Sequence, residues 1–150
     1  MIFAVAPHSS NFDFLLTVGV ILALGLKASF LAKTSLFRFP LNIIVTGFGG
    51  IPVDRNSPKG VVGDMTEAFK KRPQLILGIA PEGTRAKVPQ WRSGFALIAY
   101  NAQVPVLPVI INYAKKTVTF KTLIEDLDES DNILTAMRAA AADGVGRQAS

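Results

Sequence analysis

The chain has 150 residues, 49% hydrophobic and 18% charged, with a single His and no Cys. One domain of that length buries about 70% of its unfolded surface, and the composition excludes a disordered segment, a membrane bundle, a disulfide scaffold and a cysteine nucleophile. Residues 1–121 carry 14 Lys and Arg against 5 Asp and Glu, whereas residues 122–150 carry 2 against 6. The basic part therefore favours an anionic partner such as a phosphate ester, a nucleotide-bearing cosubstrate or an anionic membrane face.

The chain opens on "IFAVA" (2–6), which reads as a buried strand. The segment from Phe12 to Leu24 reads as a largely buried helix starting near Asn11. Its apolar stretch, Phe14 to Leu26, is shorter than the roughly 20 residues a membrane-spanning helix needs. No basic region precedes it, so no signal peptide is expected, and the abrupt start predicts either that a preceding segment is missing or that this is a naturally short member of a larger design. "ASFLA" (28–32) is a second strand. "KTSLFRFPLNIIVTGFGG" reads as short helical turns ending at Gly49 and Gly50, and "IPVD" (51–54) as a short strand. "NSPKGVVGDMTEAFKKR" has a helix start at Ser57 and Pro58, with Val61, Met65 and Phe69 on one face. Then follow a strand (75–80), a helix (93–102), a strand (104–112) and a strand (117–121). Pro105 and Pro108 argue for an edge or irregular position of the third of these. A last amphipathic helix covers Asp131 to Ala142, and residues 143–150 are expected to fray. The alternation predicts a single α/β domain over residues 1–150, a mixed sheet flanked by helices.

Three polar clusters, "PHSSNFD", "IPVDRN" and "APEGTR", each follow a strand-like run, and open α/β sheets bind ligands beyond the carboxyl ends of their strands. Gly83 permits close backbone approach, Thr84 offers a hydroxyl, and Arg85 and Arg55 offer cations suited to phosphate. His8 is the candidate general base. A turn at Ser9 and Ser10 can fold the Asp13 carboxylate back onto the imidazole, fixing its tautomer and leaving the other nitrogen free to take a proton. Ser9 and Ser10 are either turn formers or nucleophiles; neither lies in a G-x-S-x-G elbow, so a substrate hydroxyl is the better candidate. Lys33 and Arg92 are either solvated or at the site, and Trp91 sits at a lipid interface or caps the core. Phe12, Phe14, Phe37, Phe39 and Phe48 line an acyl tunnel or belong to the core. One His without Cys argues against a metal site, and dispersed basic residues without an aromatic reader motif argue against nucleic acid.

These clusters resemble motifs of the glycerophospholipid acyltransferase family: "HSSNFD" its H-x4-D motif, "GGIPVDR" its second, "PEGTR" its third and "VPVLPV" its fourth. All four stand in the family's order across a motif core of residues 5–112. The resemblance implies a glycerol-3-phosphate acyltransferase-like fold and an O-acyltransferase of phospholipid biosynthesis. Its acyl donor would be acyl-CoA or acyl carrier protein, with no other cofactor, and its acceptor a hydroxyl of a glycerol phosphate or lysophospholipid. By the same resemblance His8 is the base and Asp13 its partner. Arg55, Glu82, Gly83, Thr84 and Arg85 line the acceptor's phosphate site, with Lys33 near it. Pro7 and Ala80 depart from the residues many members carry there, which bears on the acceptor. The resemblance implies an apolar or amphipathic segment ahead of the first motif, and that segment is expected to be missing here. A cytoplasmic protein, peripheral at an anionic membrane surface and released by salt, is expected, with Lys70, Lys71 and Arg72 among its basic contacts. The competing readings are a catalytically silent lipid or phosphate-ester binding domain and a serine esterase.

Overall fold

The computed structural model describes residues 1–53, 60–82 and 91–147. Six strands form one sheet: β1 (Ile2–Ala6), β2 (Ser29–Lys33), β3 (Gly50–Val53), β4 (Leu77–Ile79), β5 (Val106–Asn112) and β6 (Thr117–Phe120). Their order is β3-β2-β4-β1-β5-β6. The first five are parallel, and β6 returns antiparallel along β5. β1 lies between β4 and β5 and is buried throughout, which explains why "IFAVA" has no polar position: an inner parallel strand is covered on both faces.

The two faces are covered unequally. Helices α3 (Gly60–Lys71), α4 (Gly94–Ala102) and α5 (Ser130–Ala140) share one face. There Ile2, Ala4, Leu77, Val106 and Ile110 of the sheet meet Met65, Phe69, Phe95, Ile98, Ile133 and Met137. The alternate residues Phe3, Val5, Val109 and Ile111 point the other way, where the buried helical partner is Ile21 of α1 (Asn11–Ala23). A 3-10 turn (Thr34–Phe37) and the short α2 (Leu41–Gly47) link β2 to β3. Gly49, at φ +82°, turns the chain from α2 into β3; a Cβ there would stand 2.6 Å from the Ala28 carbonyl oxygen.

Three expectations are corrected. The first helix is not largely buried: Phe12, Phe14, Leu15 and Leu22 are exposed, because among the described residues no second helix lies outside α1 to cover them. Pro105 and Pro108 do not mark an edge, since β5 is flanked by β1 and β6. A strand residue's N and O point to the same side, and the Pro108 carbonyl accepts from the Lys121 amide at 2.9 Å. The missing donor of Pro108 thus falls at the last rung toward β6 and leaves the β1 ladder intact. Residues 143–147 are not frayed. Val145 bridges to Asn112, accepting from the Tyr113 amide and donating to the Ile111 carbonyl, and the Asn112 side chain donates to the Asp143 carbonyl at 2.7 Å. Ser57 and Pro58 lie outside the described residues. Among the described residues, no helix is long and apolar enough to cross a membrane.

Candidate active site

β1 and β4 are neighbours, and His8 and Glu82 follow their carboxyl ends by two and three residues. A Glu82 carboxylate oxygen accepts from the His8 amide at 2.6 Å, joining the two loops. Glu82, expected to line a phosphate site, thus presents a carboxylate to the backbone of the first motif.

The His–Asp spacing has a local cause. Ser10 is the N-cap of α1, and its hydroxyl accepts from the Phe12 amide at 3.2 Å. Asp13 occupies the third helical position and reaches back to the amides of Ser10 at 2.6 Å and Ser9 at 2.5 Å, which completes a capping box. One short turn plus one helical turn therefore brings Asp13 Oδ2 to 3.9 Å from His8 Nδ1. That is longer than a hydrogen bond but close enough for the two charges to interact. The Asp13 side chain is fully buried and that of His8 is 22% exposed.

The remaining Asp13 oxygen is supplied from far along the chain. Tyr113, just beyond β5, donates its hydroxyl to Oδ1. Burial pushes the Asp13 carboxyl up, but the hydrogen bonds from Tyr113, Ser10 and Ser9 together outweigh it and hold it below the usual 3.8. Asp13 therefore stays ionised beside the imidazole. Glu82 moves the other way: burial raises it above 4.5, the His8 amide opposes this, and the negative charge of Asp13 adds to it.

Both serine hydroxyls hold the loop together. Ser9 Oγ lies 3.2 Å from Asp13 Oδ2 and accepts from the Arg147 amide at 2.9 Å, and Ser10 Oγ caps the helix. The Arg147 guanidinium stands 5.2 Å over the Phe12 ring. Residues 143–147 thus strap the first motif from outside. Neither Tyr113 nor the strap was singled out from sequence. A signal for Tyr113 did exist, because Leu107, Val109, Ile111 and Tyr113 alternate onto the α1 face.

Lys33 ends β2 on the same side of the sheet, one strand beyond β4, and is exposed. Arg92 is exposed, and Trp91 packs against the α3–α5 core. Arg55, Gly83, Thr84 and Arg85 lie outside the described residues. A cavity of about 590 Å³ runs from His8 over β4 and β2, bounded by Phe14, Val18, Ile21 and Leu22 of α1 and by Thr46 to Gly49 at the end of α2. Its floor is Phe30, Leu31, Gly78 and Ile79, and Lys27 stands among its lining residues. Of the five phenylalanines weighed for a tunnel, Phe14 and Phe48 line this cavity.

The sequence model described as Acyltransferase matches residues 2–112. No curated protein matches the chain. Among solved structures, the 1-acyl-sn-glycerophosphate (LPA) acyltransferase PlsC from Thermotoga maritima is similar over 100% of this chain and 68% of its own, with a TM-score of 0.71 at 22% identity. At that identity the likeness is one of fold.

The two carboxyls predict opposite acid responses. Glu82, raised above 4.5, binds its proton more tightly folded than unfolded, so acidification through its folded value toward pH 4.5 adds stability. Asp13, lowered beneath 3.8, contributes stability that is lost as pH falls below 3.8 through its folded value. In thermal melts across this range, Glu82→Gln is expected to remove the gain on mild acidification, and Asp13→Asn to flatten the loss in stronger acid.

Proposed function

The chain belongs to the acyltransferase family, and from that premise we propose that it transfers a fatty acyl group to a glycerolipid acceptor in phospholipid biosynthesis. The donor is a thioester, acyl-CoA or acyl carrier protein, and the acceptor a hydroxyl of a glycerol phosphate or lysophospholipid. The observation that carries the reading is that His8 lines an apolar cavity of about 590 Å³, a size suited to a small-molecule or acyl ligand. Asp13 faces Nδ1, which leaves Nε2 as the base.

His8 takes the proton of the acceptor hydroxyl as that oxygen attacks the thioester carbonyl. The tetrahedral intermediate then expels the thiolate, which takes the proton back from the imidazolium, giving an ester and a free thiol. Asp13, ionised, stabilises the imidazolium in between. No acyl-enzyme and no cofactor beyond the thioester is required. The two hydroxyls that a serine esterase would need are engaged in the loop. Arg55 and Arg85, with Gly83 and Thr84, are the proposed phosphate contacts, and Lys33 is a further cation on that side of the sheet.

The acyl chain lies along the cavity, with Gly78 beneath it. Gly78 falls between Leu77 and Ile79 in β4 and faces α1; the nearest atom to a Cβ there is 3.6 Å away, so a larger side chain has room to enter the cavity. The membrane contact proposed is the face built by α1 and α2. Phe39 (82% exposed) and Ile43 (65%) stand out there with Leu15, Ile44 and Phe48, near the cations Lys27, Lys33 and Arg38. Apolar contact then adds to the electrostatic attachment expected from charge alone.

His8→Ala is expected to lower acceptor-dependent thioester turnover by about 10²–10⁴-fold with an unchanged melting temperature. Near-normal turnover in that folded variant overturns the reading, and thiol release without acceptor favours hydrolysis instead. A series of acyl-CoA lengths tests the cavity: Gly78→Leu should depress turnover of long chains and spare short ones. Vesicle co-sedimentation tests the membrane face. Binding to anionic vesicles should weaken with salt, and the salt-resistant part should be lost in Phe39→Ser/Ile43→Ser.

A further inference from the structure

We propose that Tyr113 is a positioning residue for the reaction: its hydroxyl holds the Asp13 carboxylate so that Oδ2 stays turned toward His8. The proposal rests on the reading of His8 as the base, and it adds a residue that lies outside all four sequence motifs.

The carboxylate of Asp13 divides its work between its two oxygens. The amides of Ser9 and Ser10 converge on Oδ2, which also faces His8 Nδ1. Among the described residues, Oδ1 has only the Ser10 hydroxyl at 3.3 Å besides Tyr113. With the side chain shut off from solvent, water cannot replace a missing donor there, so without the phenol Oδ1 keeps one long, weak contact. The carboxylate is then free to rotate about its last bond and to swap oxygens between the amides and the serine hydroxyl. Because the amides of Ser9 and Ser10 keep one oxygen on the His8 side in either arrangement, the charge facing the imidazole rises while its direction becomes less fixed.

Tyr113 is itself held at both ends. Its amide donates to the Val145 carbonyl at 3.0 Å, and its ring packs with the residues of the α1 face. Burial and the adjacent Asp13 charge push the phenol above its usual 10, so it remains a donor at neutral pH. The sequence separation of 100 residues makes this a link between the end of β5 and the first motif rather than a feature of the loop.

The phenol also bears on the strength of the base. A strong donor on Oδ1 draws charge away from Oδ2 and weakens its hold on the imidazolium. Among the described residues, the other charged groups around this cluster are Glu82 from the end of β4, which meets the His8 amide, and Arg147 from the strap, over Phe12. Removal of the phenolic hydroxyl leaves both in place.

His8 is the only histidine, so its ring resonances report without ambiguity in proton NMR. In Tyr113→Phe the midpoint of the His8 titration should move to higher pH. The acid limb of kcat/KM measured with acyl-CoA and 1-acylglycerol 3-phosphate should move with it, and kcat should fall about tenfold with KM within about twofold. A residue that merely stabilises the fold would lower the melting temperature and leave both midpoints in place. The chain has two tyrosines, so 3-fluorotyrosine incorporated in a Tyr100→Phe background places a stronger donor at position 113 alone without removing a contact. That protein should shift the His8 midpoint to lower pH, and it keeps the test decisive if Tyr113→Phe does not fold. Unchanged midpoints in the folded proteins overturn the proposal. If instead His8→Ala retains turnover, the acyl-transfer reading fails, and the proposal fails with it whatever the NMR midpoints show.

Discussion

A carboxylate excluded from water has to be met by donors on every side, and Asp13 imposes that demand on the rest of the site. Two amides from its own loop, two serine hydroxyls and a phenol from the far end of β5 converge on it. Leaving such a group unmatched in the interior is costly, so the loop conformation, the start of α1 and the placing of the imidazole are consequences of one requirement. The same residue thus serves as helix cap and as the carboxylate facing the His8 ring. The geometry of the proposed site is enforced by the energetics of folding.

The second constraint is the unequal cover of the sheet. Three helices close one face, and their buried residues interleave with β1, β4 and β5 into a continuous core. On the other face α1 is a single thin layer, and the space between it and the short α2 is left as a cavity. His8, beyond the carboxyl end of β1, consequently borders apolar volume. The packed core lies on one side of the sheet and the cavity on the other.

Much of this was legible in the residues, for reasons that differ from element to element. β1, β4 and β5 announce themselves because inner parallel strands are uninterrupted apolar runs, and α3 because Met65 and Phe69 recur at helical spacing. The His8–Asp13 relation was legible because a turn into a helix is a local event. What covers a helix is not local: the apolar run of α1 reads as buried, although a hydrophobic sequence states only that water is disfavoured, not which neighbour excludes it. Pro108 misled because a proline forbids one donor on one side, and the neighbouring strand on that side was unknown. Tyr113 and residues 143–147 escaped notice because their roles depend on which distant segments the topology brings together. The phosphate-site candidates Arg55, Gly83, Thr84 and Arg85 rest on their motif positions alone.

The strap of residues 143–147 divides the molecule into parts of different stability. It reaches the first motif through an exposed contact, the Arg147 amide on Ser9, and is held to β5 by hydrogen bonds of Val145 with Ile111 and Tyr113 and of Asp143 with Asn112. The sheet beneath it is held by a core of buried side chains. Segments with few buried contacts open at a small fraction of the global unfolding free energy. Detachment of the strap would loosen both the Ser9 side of the carboxylate cage and the backbone anchor of Tyr113 while every strand stayed paired. The cage around Asp13 is therefore a less durable feature of this protein than its sheet, and mild heat or denaturant would loosen it before the domain melts.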